Sequence, residues 1–302
     1  PFVSEQGAGL KDWKPENYGK KFYGPSTLRK GIEKSRNLMT VRIAQDLGFE
    51  KIENISKNLG VYDKTPELLS VSLGSNETTL LKLTTAYSTF VNGGKKVKPK
   101  IIKRIQDRRG ITIFNSEERL CSGCDIFLEK NKPMLKILDD RKQIISEETA
   151  YQVTSMLEGV IKRGTGKKLK SLNLPLGGKT GTTNDNFDAW FIGFTSDLVV
   201  GVYVGYDDPK TLGKYETGSK AALPIFKKFI ETALYKEDVK PFKVPNGIYL
   251  YPVNYDNGEI TDFSDKSSIT ESFKESSSKS IKLKNLNFGR NHGKFSKFKG
   301  FY

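Results

Sequence analysis

The order of its apolar patterns predicts an α+β fold for this chain. Amphipathic helical segments lead, three β-rich runs follow one another after residue 176, and a further helical run closes the group. Helices and consecutive strands kept apart in this way mark the α+β class, whereas regular alternation would build a parallel sheet. At 302 residues with 36% hydrophobic residues, the chain has enough apolar surface for a real core.

The elements can be justified in order. In "GPSTLRKGIEKSRNLMTVRIAQDLG", Ser26 is placed to cap a first helix. Leu28 and Ile32, then Thr40, Ile43, Ala44 and Leu47, recur at three- and four-residue steps until Gly48 stops the run. Ser35-Arg36-Asn37 falls at the junction of the two helices. "TTLLKLTTAYSTFVNGG" is a further amphipathic helix, ended by Gly93-Gly94, and "SEETAYQVTSMLEGVIKRG" opens on a capping box at Ser146. Between these helices, "KPKIIKRIQ" and "ITIFN" flank "DRRG" as a β-hairpin, and a cysteine-bearing loop follows, so that residues 95–145 form an excursion. "GGKTGTT", "AWFIGF" and "LVVGVYVGY" are the three strands, and "KAALPIFKKFIETALYK" is the last helix. From Asp262 the composition turns to Ser and Lys without apolar periodicity, which predicts a folded part over 1–261 and a disordered or loosely attached tail over 262–302.

Composition narrows the function. The formal charge of +15 suits an anionic partner, yet only 10 of the 50 basic residues are Arg and they do not cluster, so a general Lys bias explains the charge better than base readout and no nucleic acid is expected. The most apolar stretch, "AWFIGFTSDLVVGVYVGY", is cut by Thr195, Ser196 and Asp197 before it reaches the roughly 20 apolar residues of a membrane span. Cys121 and Cys124 form a single C-x-x-C, and the one His, His292, is far along the chain, so no zinc site is expected. The pair is expected as a disulfide or two thiols on a surface loop.

Two short motifs carry chemistry. If Lys179-Thr180-Gly181-Thr182 is a strand, period two puts the hydroxyls of Thr180 and Thr182 on one face, where they can donate to a carboxylate. Gly181 leaves space for a substrate lying alongside, and Lys179 adds a positive charge. A backbone N–H at the end of such a strand can donate to a developing oxyanion. Ser35 and Asn37, two apart at a helix junction, can both face one cleft, the hydroxyl moving a proton and the amide holding a carbonyl. In order, the two motifs match two of the three elements of penicillin-interacting serine enzymes, S-x-x-K, S-D-N and K-T-G, with Arg36 where the β-lactamase form has Asp.

With the further blocks "LSVSLGSNETTLLKLTTAYSTFVNGG", "VIKRGTG" and "GGKTGTTNDNFDAWFIGFTSDLVVGVYVGYDD", the chain resembles, from Pro1 to about residue 250, the transpeptidase domain of class A penicillin-binding proteins of the 1A type, the bifunctional wall synthases. The resemblance implies an antiparallel sheet flanked by helices beside an all-helical lobe, with the cleft between them. It also implies acyl transfer: the serine of S-x-x-K attacks the penultimate D-alanine carbonyl of a stem peptide, releases D-alanine, and passes the acyl group to an amine of a neighbouring strand. Ser35 would relay the proton, Asn37 would bind the acyl side-chain amide, and Lys179 would set the charge of the relay. Thr180 and Thr182 would hold the terminal carboxylate beside Gly181, with the Thr182 N–H in the oxyanion hole; Thr183 joins the motif without an assigned role. The implied partners are peptidoglycan stem peptides, lipid-linked precursors and β-lactams. The implied place is the bacterial inner membrane, with the catalytic domain in an oxidising periplasm where Cys121 and Cys124 would pair. No cofactor or metal is implied.

One element is missing. No S-x-x-K precedes Ser35, and the tetrads that do occur, Ser276 to Lys279 and Ser296 to Lys299, lie in the Ser/Lys-rich tail. The expectation is a chain that starts after the serine-bearing helix, lacking also a membrane anchor and a glycosyltransferase domain, and inactive alone. A DD-carboxypeptidase or β-lactamase-like hydrolase would share the motifs, and a non-enzymatic basic binding protein would share the charge.

Overall fold

The structure is a computed structural model that describes residues 13–116, the strand residues 121–122 and 136–137, and residues 139–275. Helix ends follow their caps. α1 (Leu28–Glu33) is capped by Thr27, whose Oγ1 accepts from Lys30 N–H at 3.2 Å. Ser26, expected in that role, instead donates to Gly24 O at 3.4 Å, because the extended residue directly before the first helical turn is Thr27. α2 (Asn37–Leu47) buries Leu38, Val41 and Ala44 and ends at Gly48, whose φ of 83° no helix continues. α3 (Phe49–Leu59), unforeseen from the apolar pattern, starts at once on the far side of that glycine. With a 3-10 turn at Leu69–Leu73 that buries Val71, these helices form the helical lobe. α4 (Leu80–Val91) is capped by Thr79.

The segment from Lys95 to Gln143 leaves and returns at one point, closed by a bridge between those residues and by Lys96 N–H donating to Lys142 O at 2.8 Å. It holds the hairpin β1 (Arg104–Gln106) and β2 (Thr112–Asn115), and the short pair β3 (Cys121–Ser122) and β4 (Lys136–Ile137). Cys124 lies outside the described residues, and so does any pairing with Cys121. α5 (Glu147–Lys162) follows, with Ser146 Oγ accepting from Thr149 N–H at 3.3 Å as its cap.

The central sheet is β5 (Gly177–Thr182), β6 (Ala189–Phe194) and β7 (Val199–Val204), antiparallel in that order, so β5 is an edge strand. One face is covered by α6 (Ala222–Ala233), where Phe226 meets Phe191 edge-on at 4.9 Å between ring centroids. The other carries Phe194, which meets Tyr87 of α4 at 6.4 Å and packs with Leu157 and Val160 of α5. Helices on both faces of a strongly apolar β6 leave its side chains dry: Phe191 and Phe194 are fully buried.

The last element corrects the sequence boundary. β8 (Ile248–Asn254) and β9 (Ser268–Lys274) pair over seven residues each, from Ile248 opposite Lys274 to Asn254 opposite Ser268. The tail expected from Asp262 is therefore ordered through Lys274. Its apolar residues are few because a two-stranded ladder draws on backbone groups, which composition does not reveal, and β9 anchors itself with a charge. Residues 276–302, with both tail S-x-x-K tetrads, lie outside the described residues.

Candidate active site

β5 builds the site at its open edge. Thr183 N–H donates to Asp188 O at 3.2 Å, so by the pairing parity of an antiparallel ladder the odd-numbered residues of β5 exchange hydrogen bonds with β6. The N–H and C=O groups of Thr180 and Thr182 then point to the unpaired side. Their hydroxyls share one face, as period two requires, while Lys179 starts from the opposite face beside Ile192.

Lys179 curls round that edge. Its Nζ donates to Thr180 O at 3.0 Å and to Ser35 Oγ. Burial of the ammonium lowers its pKa from 10.5 to about 8, since removing water disfavours the charged form. Ser35 is the middle residue of the three-residue step between α1 and α2, with φ of 51°, a left-handed conformation uncommon for a residue with a side chain. Such strain, of order 1 kcal/mol, persists where neighbours over-determine the backbone. Here Ser35 N–H donates to Ile32 O at 3.2 Å and Arg36 N–H to Gly31 O at 2.9 Å. The strain aims the Ser35 hydroxyl at β5.

A residue not singled out in the sequence completes the edge. Thr165, in the turn after α5, lies with its Oγ1 2.8 Å from Thr180 Oγ1. One hydroxyl donates to the other, leaving one O–H free to serve a ligand. The turn is fixed to α1, for Thr165 N–H donates to Glu33 O at 3.2 Å and Lys34 Nζ to Arg163 O at 2.6 Å. Gly164 permits this approach, because a methyl there would lie 2.3 Å from Glu33 O. The signal was present as the R-G-T-G run of a quoted block, but nothing local marked its threonine as facing β5.

The remaining expected residues divide. Thr182 Oγ1 accepts from Gly218 N–H at 3.0 Å, which leaves its own proton to donate elsewhere. Gly181 stands between the two threonines, opposite Trp190. Thr183 closes the β5–β6 turn: its Oγ1 accepts from Asp188 N–H at 2.8 Å. As at Thr182, accepting that bond leaves the hydroxyl proton of Thr183 to donate elsewhere. Asn37, the first residue of α2, donates from Nδ2 to Glu16 O at 2.9 Å and is not joined to the Ser35–Lys179 pair. Beside it, the Arg36 guanidinium stacks on Tyr23 at 3.1 Å from the ring centroid. Among the described residues no three His, Cys, Asp or Glu side chains gather as a metal site, and no helix is long and apolar enough to cross a membrane.

The arrangement thus offers a buried amine beside a serine hydroxyl, a row of threonine hydroxyls, and outward backbone donors, all on one strand edge. Known proteins resemble this chain over most of its length. Residues 2–231 match the family described as penicillin binding protein transpeptidase domain. Penicillin-binding protein 1A of Rickettsia bellii is 44% identical over 276 residues, 91% of this chain and 34% of that protein. The Pseudomonas aeruginosa protein of the same name is 36% identical over 269 residues, 79% of this chain and 33% of that protein. The crystal structure of penicillin-binding protein 1A from Haemophilus influenzae superposes with a TM-score of 0.77 at 28% identity, covering 91% of this chain and 43% of that one. The chain spans about a third of the length of these curated relatives.

Proposed function

The chain belongs to the penicillin-binding protein transpeptidase family and has its penicillin-binding, β-lactamase-like fold, and from that premise we propose that it forms the substrate-recognition part of a serine-type DD-transpeptidase that cross-links peptidoglycan. The observation that carries this reading is the hydrogen bond from Lys179 to Ser35 beside the paired hydroxyls of Thr165 and Thr180. A cation, a proton-relaying hydroxyl and a carboxylate cradle meet there on one exposed strand edge.

In the proposed reaction a serine outside these 302 residues, in an S-x-x-K segment upstream of Pro1, attacks the penultimate D-alanine carbonyl. The new C–O bond forms as the amide C–N bond breaks, and the departing D-alanine nitrogen takes a proton through Ser35. Lys179, neutral or charged near pH 8, adjusts that relay. Thr180, Thr182 and Thr165 hold the terminal carboxylate, Gly181 lets the peptide lie against the strand, and the outward Thr182 N–H meets the oxyanion. Asn37 binds the acyl side-chain amide. An acceptor amine then displaces the serine, restoring it and forming the cross-link. β-Lactams acylate the same serine.

The parent protein, on this reading, also carries a glycosyltransferase domain and a membrane anchor, uses lipid-linked precursors, and works on the periplasmic side of the inner membrane. Labelling with a fluorescent penicillin tests the proposal. The chain of 302 residues should form no covalent adduct, and a version extended upstream through S-x-x-K should label stoichiometrically. Stoichiometric labelling of the shorter chain would place the nucleophile elsewhere, and hydrolysis without transfer to added amines would favour a carboxypeptidase.

A further inference from the structure

Four charged side chains absent from the chemistry above run from the C-terminal hairpin to the site. Glu271 of β9 accepts two hydrogen bonds from Arg29 of α1, Nε to Oε2 and Nη2 to Oε1, each 2.5 Å. The same guanidinium donates to Ser155 O and Ser155 Oγ on α5, both at 2.9 Å, and its Nη1 stands 3.6 Å from Glu33 Oε1. Glu33 also accepts from Arg163, with Nε to Oε2 at 3.1 Å. Arg29 is 2% exposed and Glu33 wholly buried. Room for the carboxylate comes from Gly159 of α5, where a methyl would lie 1.8 Å from Glu33 Oε1. Burial opposes the charge of Arg29, but Glu271 and then Glu33 outweigh it, so its pKa is raised.

Desolvating ions costs several kcal/mol each, and apolar residues of similar volume commonly hold helices together as well or better. A buried network of this kind therefore makes sense where it fixes geometry. Its inner end does so here. The Glu33 carbonyl receives the Thr165 N–H, Arg163 and Thr165 share one turn, and Ser35 lies two residues beyond Glu33. Its outer end is the β8–β9 hairpin, which lies past residue 231, where the family match stops. Tyr255, just after β8, adds a second link, with Lys30 and Arg163 each 5.4 Å from its ring centroid.

We propose that Glu271, Arg29, Glu33 and Arg163 are positioning residues through which the β8–β9 hairpin clamps α1 against the turn after α5, holding Ser35 and Thr165 in place on β5. The proposal rests on the functional reading above for what the site does. The test uses the extended protein with Glu271→Gln, and Ile230→Val in α6 as a control that loosens the core remote from the clamp. Glu271→Asp, which keeps the charge and shortens its reach, serves in the same way if Glu271→Gln does not fold. Three quantities are measured: the acylation rate constant and the Kd for a penicillin, and the pH midpoint of Lys179 reactivity by competitive acylation of amines. Glu271→Gln should slow acylation roughly tenfold with Kd held within about twofold, since misplacement of reacting groups acts on the chemical step. The Lys179 midpoint should rise from about 8 toward that of an ordinary lysine as Ser35 draws away and water enters. Ile230→Val should move neither. Unchanged values in both Glu271 variants, or equal changes in Ile230→Val, would overturn the clamp. A wild-type protein that no penicillin acylates would sink the functional reading alone, because the Lys179 midpoint still decides this one.

Discussion

Lys179 and Ser35 are 144 residues apart in sequence and joined by a hydrogen bond from Nζ to Oγ. The contact places a titratable amine against a strained hydroxyl, so the pair can move a proton between a reacting group and solvent. Replacing Lys179 by Ala in the extended protein should slow β-lactam acylation by roughly 10² or more, the usual scale for a lost proton-transfer partner. Stopped-flow acylation within a few-fold of wild type would remove Lys179 from the site.

The lowered pKa sets a pH signature. Lys179 is cationic below about 8 and neutral above it. Affinity for a ligand bearing the terminal carboxylate should therefore hold steady at about pH 6 to 7, where the amine is charged, and weaken as pH rises through about 8. A flat titration of Kd from neutral to strongly alkaline pH would show that the ammonium does not contribute to binding.

Stability should respond with the opposite sense. Because the folded-state pKa of Lys179 lies below its value of 10.5 in the unfolded chain, the unfolded chain binds the extra proton between about 8 and 10.5, and stability gains from this residue as pH rises across that window. Lys179→Met, which cannot charge, should melt higher than wild type at pH 7, and its advantage should shrink above pH 8. Equal melting differences at both pH values would contradict the burial of the charge.

Thr165→Val keeps the shape of the side chain and removes the hydroxyl that pairs with Thr180 Oγ1 at 2.8 Å. One lost hydrogen bond in the carboxylate cradle corresponds to roughly a tenfold loss of affinity. The effect should vanish for a ligand whose carboxylate is replaced by an amide. Equal losses for both ligands would mean that Thr165 serves the turn and not the ligand.

Gly164→Ala should damage the site by a different route. Its methyl would stand 2.3 Å from Glu33 O, so the turn must move off α1 and release the Thr165 N–H. A destabilisation of about 1–3 kcal/mol is the usual cost of overpacking. Chemical denaturation would measure it, and a variant as stable as wild type would show that the two segments can separate freely.

The site was legible where chemistry and period coincide. Lys179, Thr180 and Thr182 could be placed because one short motif on a strand fixes both the groups and their facing, and Ser35 because a helix junction interrupts the apolar steps. Thr165 was not, since its meaning comes from Thr180 across a gap that no local pattern spans. α3 escaped because its amphipathic run begins directly on the glycine that ends α2, so a stop signal masked a start. The β8–β9 hairpin escaped for another reason: a segment rich in Ser and Lys reads as solvated, yet Glu271 reaches a buried arginine on a distant helix. Composition reports solvation of side chains one by one and is silent on a charge that finds its partner far along the chain.

The open edge of β5 has a bearing on solubility. A strand that turns backbone N–H and C=O groups outward is a template for another chain's strand, and proteins blunt such edges with charges. Lys179, lying across that edge to Thr180 O, puts a desolvated amine where a foreign strand would have to dock. A substrate peptide ending in a carboxylate matches that charge, whereas an arbitrary apolar segment does not. The residue assigned to the relay in the proposed reaction would thus also guard the sheet, and proteins lacking it should self-associate more readily at high concentration.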